Sequence, residues 1–370
     1  MKGCVAKVKG LYVHIPFCEY ICHYCDFVKS VPKNQDVIDQ YLFRLRDEIL
    51  SYQQHFDTIE TIYIGGGTPS MLTEHQLRFL LDSMKGIHPT EFSIEINPES
   101  YTHEKGLILR SYGVNRISIG VQSFNNDILK YLNRGHSQEM VEFIVNDLKS
   151  LGFKYISIDL IFAIPGQTMK HIEFDLESFF KLDVTHISYY SLILEDKTYF
   201  YHQYLHGKFK PMDEDHEANM YEYIIKSLKK HGFEQYEVSN FAKHGHYSLH
   251  NSIYWTLGEY IGVGLGAHGF IDQYRTYNER SMIQYLDHFQ KERTLQSDCE
   301  LLQDELIFGL RMTKGVSIKD VEAKYGINLL EKFPKIEEKV ELGLLKIKGD
   351  RLYLTHHGMM LGNQVFMLFI

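Results

Sequence analysis

No window of this sequence strings together the run of about 18 apolar residues that a membrane-spanning helix needs. No N-terminal stretch joins a basic start to an apolar run and a small-residue cleavage site, so a cytosolic location is expected, with any attachment to a membrane made through partners. Basic runs are missing as well. Lys and Arg total 39 against 48 Asp and Glu, a formal net charge of −9, which excludes nucleic acid as a partner bound by phosphate neutralisation. Cysteine is scarce, with only Cys4, Cys18, Cys22, Cys25 and Cys299. An odd count, with three of the five packed into eight positions, excludes a disulfide framework and points to a metal. Cys4 and Cys299 carry no pattern of their own. Low-complexity tracts and fixed-period repeats are absent too.

What is present is ample for a full-sized core: 370 residues, 44% of them hydrophobic. Short β-type runs at 11–15, 61–64, 92–96, 116–119, 155–161 and 186–192 alternate with amphipathic helical stretches at 37–53, 74–84, 105–112, 137–151 and 169–181. Thr73 and Thr168 stand where helix caps belong. Six βα units are too few for a closed eight-fold barrel, so an α/β fold is expected: a partial (β/α)6 barrel of the TIM type, open on one side. Its active groups should lie beyond the C-terminal ends of the strands. After about Pro211 the pattern changes to a helix over 216–231, a β-type run near 235–239 and a Gly/His-rich loop through Gly269. The expected division is a barrel over 1–210, an α+β extension over 211–298 and a small C-terminal helical, winged-helix-like domain over 299–370. The apolar tail 365–370 is expected to dock on the body.

Directly after the first β-type run comes Cys18-Glu-Tyr-Ile-Cys22-His-Tyr-Cys25, a C-x3-C-x2-C spacing. Three thiolates on one loop can hold three irons of a four-iron four-sulfur cubane and leave the fourth iron without a protein ligand. A structural zinc competes with this reading. It needs a fourth ligand, and His23, the nearest candidate, lies inside the knuckle and is poorly placed. An iron with a vacant position can chelate the amino and carboxylate groups of S-adenosylmethionine and reduce its sulfonium, chemistry that the protein must orient and shield. Tyr24, between two of the cysteines, is suited to packing on the adenine.

With these residues in view, the sequence resembles the radical S-adenosylmethionine superfamily, and within it the branch of oxygen-independent coproporphyrinogen oxidase and its relatives, the heme chaperones. The resemblance runs from Leu11 to about Gly269. Gly65-Gly66-Gly67-Thr68-Pro69 is similar to the family segment that meets the methionine moiety, where glycine lets the backbone approach a ligand. The same resemblance implies cofactor contacts for Tyr12, Glu95, Gln122, Arg134 and Asp159, Arg134 being suited to a carboxylate and Asp159 to ribose hydroxyls. Phe162-Ala163-Ile164 departs from the family's usual Tyr-Gly-Leu before Pro165-Gly166-Gln167-Thr168, which alters the local pocket shape.

Two features separate the relatives. The oxidase pattern carries a further cysteine two positions after the triplet, whereas here Cys25 is followed by Asp26-Phe27. His250-Asn-Ser-Ile-Tyr254-Trp255 matches the H-N-x-x-Y-W motif of the chaperone branch and contains the one tryptophan. The resemblance therefore implies heme as a ligand, with His250 as an axial candidate, Tyr254 and Trp255 as aromatic contacts, and His268 as a second histidine. Respiratory membrane proteins that require heme are the implied recipients, and a second copy of the chain is a candidate partner. The rival is an enzyme that decarboxylates coproporphyrinogen III oxidatively.

Overall fold

The computed structural model describes residues 7–287 and 291–370, and Cys4 lies outside them. Its centre is β1 (Gly10–Ile15), β2 (Thr61–Gly66), β3 (Glu91–Ile96), β4 (Arg116–Gln122), β5 (Tyr155–Phe162) and β6 (His186–Ser191), parallel and adjacent in sequence order. These are the six expected strands. α1 (Gln35–Leu50), α2 (Glu74–Asp82), α3 (His103–Ser111), α4 (Asn126–Tyr131), α5 (Gln138–Ser150) and α6 (Met169–Lys181) connect them.

The strands alternate with period two, and the alternation separates two environments. Val13, Ile15, Ile62, Ile64, Ile94, Ile117, Ile119, Ile158 and Ile187 are fully buried with the helices in one hydrophobic core. The opposite parity is polar. Register places Glu95 beside Ser118 and Ser157, and Gly120 beside Asp159 and Ser188, so the concave face of the sheet carries hydroxyls and carboxylates. Capping boxes at Thr73 with Gln76 and at Thr168 with His171 fix the starts of α2 and α6, each stabilising by about 1 kcal/mol.

Both flanks extend the six strands. α7 (Tyr199–Leu205) and α8 (Glu214–Lys230) lead into β7 (Glu234–Gln235) and β8 (Asn240–Ala242), and β8 joins β6 antiparallel. The expected run at 235–239 is thus split, because Glu237 pairs instead with Met312 in an isolated bridge. The expected Gly/His-rich loop holds real elements: α9 (Leu249–Trp255), β9 (Tyr260–Val263) and β10 (His268–Ile271), followed by β11 (Tyr274–Asn278), α10 (Met282–Asp287) and β12 (Lys291–Leu295). β9 pairs parallel with β1, so the sheet reads β12-β11-β10-β9-β1-β2-β3-β4-β5-β6-β8-β7, and its two edges do not pair among the described residues. Glycine conceals these strands from a pattern search, yet Gly262 is needed where a Cβ would fall on the His268 carbonyl.

The last segment runs α11 (Asp298–Arg311), β13 (Val316–Ser317), α12 (Ile318–Tyr325), α13 (Leu329–Lys332), α14 (Lys335–Glu341), β14 (Leu345–Lys348), β15 (Arg351–Leu354), α15 (His356–Met360) and α16 (Gly362–Phe366). Its sheet order β13-β15-β14 is that of a winged-helix motif, with a separate apolar core around Leu306, Val321, Ile336 and Leu352. The tail joins that core through Val365 and Phe369, both buried.

Candidate cluster and cofactor site

The cysteine loop leaves β1 at Pro16 and is tied at its base, where Cys18 N–H donates to Ser30 O (3.0 Å) and Ser30 N–H to Pro16 O (2.7 Å). Its outer part is held by His23 N–H to Leu132 O (3.2 Å), Asn133 Nδ2 to Ile21 O (2.8 Å) and Phe200 N–H to His23 O (3.0 Å). Cys18 is buried; Cys22 and Cys25 are half-buried. Burial pushes the Cys18 thiol up, and it pushes Cys25 up to about 11 against the pull of Lys29. His23 is occupied elsewhere, with Nδ1 on Tyr131 O (2.8 Å) and its ring stacked on Tyr199 at 4.1 Å. Among the described residues no three His, Cys, Asp or Glu side chains gather about one ion position. A cubane asks for a different arrangement, with each thiolate on its own corner iron. Tyr24 packs with Leu192 and Leu194 against the small apolar cluster of Ile128, Leu132, Ile161 and Phe200, beneath the loop.

The ends of β2, β3 and β4 meet this loop. Gly67 stands where a Cβ would come within 2.7 Å of Phe17 O and 3.0 Å of Cys18 Sγ, so a side chain there would push the loop away. Thr68 Oγ1 donates to Cys18 Sγ (3.5 Å) and accepts from Asn97 Nδ2 (3.0 Å). Arg134, nearly buried, donates to Gly120 O (2.7 Å), Asn97 Oδ1 (3.3 Å) and Glu99 Oε2 (3.3 Å), with Nη1 4.0 Å from Cys22 Sγ. Its Nε has no partner. Glu99 also accepts from Tyr20 Oη on the cysteine loop, Gly135 N–H (3.2 Å) and His136 Nδ1 (3.2 Å). Burial alone would raise this carboxyl, but the His136 hydrogen bond, the Arg134 charge and Tyr20 together hold it well below the usual carboxylate range.

Deeper on the concave face, Glu95 accepts from Tyr63 Oη (2.7 Å) and Gly66 N–H (3.0 Å). Burial pushes its pKa to about 7, against those hydrogen bonds and with help from the Asp159 charge. Asp159 accepts from Ser118 Oγ (2.8 Å), and burial lifts it to about 6. Gln122 follows a register shift in β4 and takes φ of 67°, a left-handed conformation that turns its side chain out of strand alternation. Tyr12 donates to His14 Nδ1 (2.9 Å), whose Nε2–H donates to Val28 O (2.7 Å). Desolvation takes His14 down to about 4, so it stays neutral. Ala163 has φ of 60° at the point of departure from the usual glycine.

A cysteine trio, a glycine cradle closed to side chains and an unpartnered guanidinium nitrogen in one cleft fit an iron–sulfur cluster with an amino acid-like ligand. Gly66 gives a direct check. At φ of 113° its missing Cβ would fall into the His14 imidazole. Gly66→Ala should therefore cost at least about 2 kcal/mol in a urea titration; an unchanged midpoint would show that the cradle is slack.

The motif on α9 lies elsewhere, and the expectation that every functional group follows a strand's C-terminal end does not hold for it. His250 packs under the N-terminal ends of β1 and β2, near Gly10, with Nδ1 on Thr61 Oγ1 (2.8 Å) and Nε2 on Tyr254 Oη (2.7 Å). It is fully buried, and desolvation lowers it to about 3. Both ring nitrogens are taken, so iron could reach His250 only after Thr61 released Nδ1 or Tyr254 released Nε2. The reason is topological: β9 follows α9 and enters the sheet parallel to β1, which places α9 across the bottom of the strands. Tyr254 and Trp255 line a cavity of about 80 Å³ with Tyr260, Phe270, Arg275 and Phe308. The indole Nε1 is buried without a partner, and the Arg311 guanidinium lies 4.6 Å from the Trp255 ring. His268, on β10, is exposed and packs edge-on against Tyr277 at 4.7 Å. Cys299, on α11, is exposed and far along the chain from the trio.

The structure thus brings Cys18, Cys22, Cys25, Gly66, Gly67, Thr68, Glu95, Gln122, Arg134 and Asp159 to one side of the sheet and sends His250, Tyr254 and Trp255 to the other end. Sequence reading missed Glu99, Asn97, Tyr63 and Tyr20. Asn97 and Glu99 flank Pro98 just beyond Glu95, and that proximity was their one available signal.

Residues 12–179 match the Radical SAM superfamily, and residues 297–361 match the HemN C-terminal domain. The heme chaperone HemW of Bacillus subtilis (strain 168) is 41% identical over 377 residues, covering 98% of this chain and 99% of the relative. The heme chaperone HemW of Escherichia coli (strain K12) is 30% identical over 380 residues, with 98% of each covered. In fold, the chain resembles the coproporphyrinogen III oxidase HemN of Escherichia coli at a TM-score of 0.85 and 22% identity, covering 98% of this chain and 90% of that one. No helix among the described residues is long and apolar enough to cross a membrane. The radical SAM family implies a four-iron four-sulfur cluster and S-adenosylmethionine, and by its likeness along almost the full length to these relatives the chain belongs to the heme chaperone HemW family of the radical SAM superfamily.

Proposed function

We propose that this chain binds heme and passes it to heme-requiring respiratory membrane proteins, while holding a four-iron four-sulfur cluster on Cys18, Cys22 and Cys25 and S-adenosylmethionine against Gly66, Gly67, Thr68, Glu95, Gln122 and Asp159. The observation that carries the heme reading is the likeness over 98% of the chain to relatives named as heme chaperones. The cluster with its ligand, when bound, supplies one-electron cleavage chemistry. The chain's own residues do the rest. The glycine cradle admits the ligand's backbone-like end, Glu95 takes a cationic amine, Asp159 takes hydroxyls, and Arg134 fixes Asn97 and the Cys22 side of the loop.

The α9 end supports the heme part of the reading. An aromatic wall suits the edge of a flat ring, and Trp255 offers an unused N–H, while the Arg275 guanidinium is held by Asp304. A cavity of about 80 Å³ takes only the rim of a porphyrin, which fits a protein that must let go of its cargo. The test is anaerobic titration with heme, followed by the Soret band. One equivalent is expected to bind, and Trp255→Ala should weaken binding about tenfold. Conversion of coproporphyrinogen to protoporphyrinogen at steady turnover, with no heme uptake, would overturn the proposal in favour of an oxidase.

A further inference from the structure

Both ends of the strand bundle are linked through one side chain. Tyr63, on the concave face of β2, donates its Oη to Glu95 Oε1 at 2.7 Å, and its ring stacks on the His250 imidazole at 5.3 Å and 27°. The Tyr12 ring also lies beside it, at 6.3 Å and 29°. His250 is itself fixed by Thr61 Oγ1 and by Tyr254 Oη, so neither the imidazole nor the ring above it can swing. The cradle accommodates the arrangement: at Gly65 a Cβ would stand 2.8 Å from Tyr63 Cε1 and 2.9 Å from the Glu95 carboxyl carbon, so glycine is the residue that lets the pair form. The other carboxylate oxygen, Oε2, receives the Gly66 N–H at 3.0 Å. Glu95 is thus held at both oxygens, once by the cradle and once by a phenol braced on α9.

We infer that Tyr63, braced by His250, is a positioning residue for Glu95, aiming its carboxylate at the amine of S-adenosylmethionine. This rests on the assignment of Glu95 to that amine. The histidine of the α9 motif then serves the cofactor site from the opposite end of the strands. A glutamate carboxylate that must meet a cation is oriented by three rotatable bonds, and a fixed donor at one oxygen restricts that freedom before the ligand arrives. The phenol also partly offsets the cost of keeping Glu95 ionised under the strand ends.

The experiment uses the full chain, reconstituted with iron and sulfide without oxygen, and compares the parent with Tyr63→Phe, His250→Gln and Glu95→Gln. Cluster content and far-ultraviolet dichroism check that each variant is folded and loaded. S-adenosylmethionine itself is titrated by calorimetry, and the electron paramagnetic resonance change it causes in the reduced cluster is recorded. Tyr63→Phe keeps the ring and its stack and loses only the donor, so affinity should fall about tenfold with an altered spectral change. His250→Gln should move both readouts in the same direction by less. Parental affinity and spectrum in Tyr63→Phe, with both lost in Glu95→Gln, would overturn the positioning role alone. Parental affinity in Glu95→Gln would overturn the assignment of Glu95 beneath it. Parental S-adenosylmethionine affinity and spectrum in His250→Gln, with both altered in Tyr63→Phe, would overturn the bracing role of the histidine.

Discussion

Serine in place of any one of Cys18, Cys22 and Cys25 should strip the reconstituted protein of nearly all of its four-iron four-sulfur cluster, measured as iron and acid-labile sulfide per chain and as visible absorbance. The effect is expected to be close to complete because each thiolate has a separate iron to hold and no neighbour can take its place. His23, the nearest alternative donor, has Nδ1 on a carbonyl and its ring against Tyr199. Glu99 is already saturated by four donors. Burial keeps the free Cys18 and Cys25 thiols protonated at neutral pH, so a metal must displace those protons, and a serine hydroxyl would yield its proton far less readily. Cys299→Ser serves as the control, since that thiol is exposed on α11. A cluster that survives all three single substitutions would remove the basis of the site.

Glu91→Ala should destabilise the fold by about 3–5 kcal/mol, the cost of leaving a buried charge without its partner. Glu91 pairs with Arg116 Nε at 2.9 Å, and the two side chains are only 6% and 5% exposed. Its carboxylate also accepts the amide N–H groups of Leu249 (3.0 Å) and His250 (2.9 Å), the first two residues of α9, which have no carbonyl partner within the helix. Arg116 in turn donates to His246 O (2.9 Å) and Tyr247 O (2.7 Å), just before that helix. One carboxylate therefore joins the bottom of the sheet to the element that carries His250. The urea midpoint of the alanine variant reports the loss. Glu91→Gln, whose amide oxygen can still accept from α9, should lose less, and equal losses in the two would mean that α9 does not depend on this anchor.

The sequence made some of this legible and hid the rest for identifiable reasons. β1 to β6 could be read because Leu11, Ile62, Ile94, Ile117, Ile158 and Ile187 sit in short apolar runs between amphipathic helices, and such runs seldom form anything but buried strands. β9 and β10 were hidden by Gly262, Gly264, Gly266 and Gly269. In those positions glycine makes room for a neighbouring backbone or side chain, whereas a pattern search reads it as loop. α9 was hidden because Leu-His-Asn-Ser-Ile-Tyr-Trp has no helical periodicity of its own and takes its start from Ser248 and from Glu91, a residue far away in sequence.

By itself, the sequence pointed to the cluster chemistry that the radical SAM family implies. Three cysteines in eight positions, with a glycine triplet and polar residues at successive strand ends, carry their meaning in local spacing, and local spacing survives without a fold. Only the tertiary structure decided what those residues are held by and which way the α9 motif faces. Glu99 gathers Tyr20, Arg134, Gly135 and His136 from separate loops. Tyr63 links His250 below to Glu95 above. Such links join residues far apart along the chain, and their partners are set by strand register and by the point at which β9 enters the sheet, neither of which any single stretch of sequence contains.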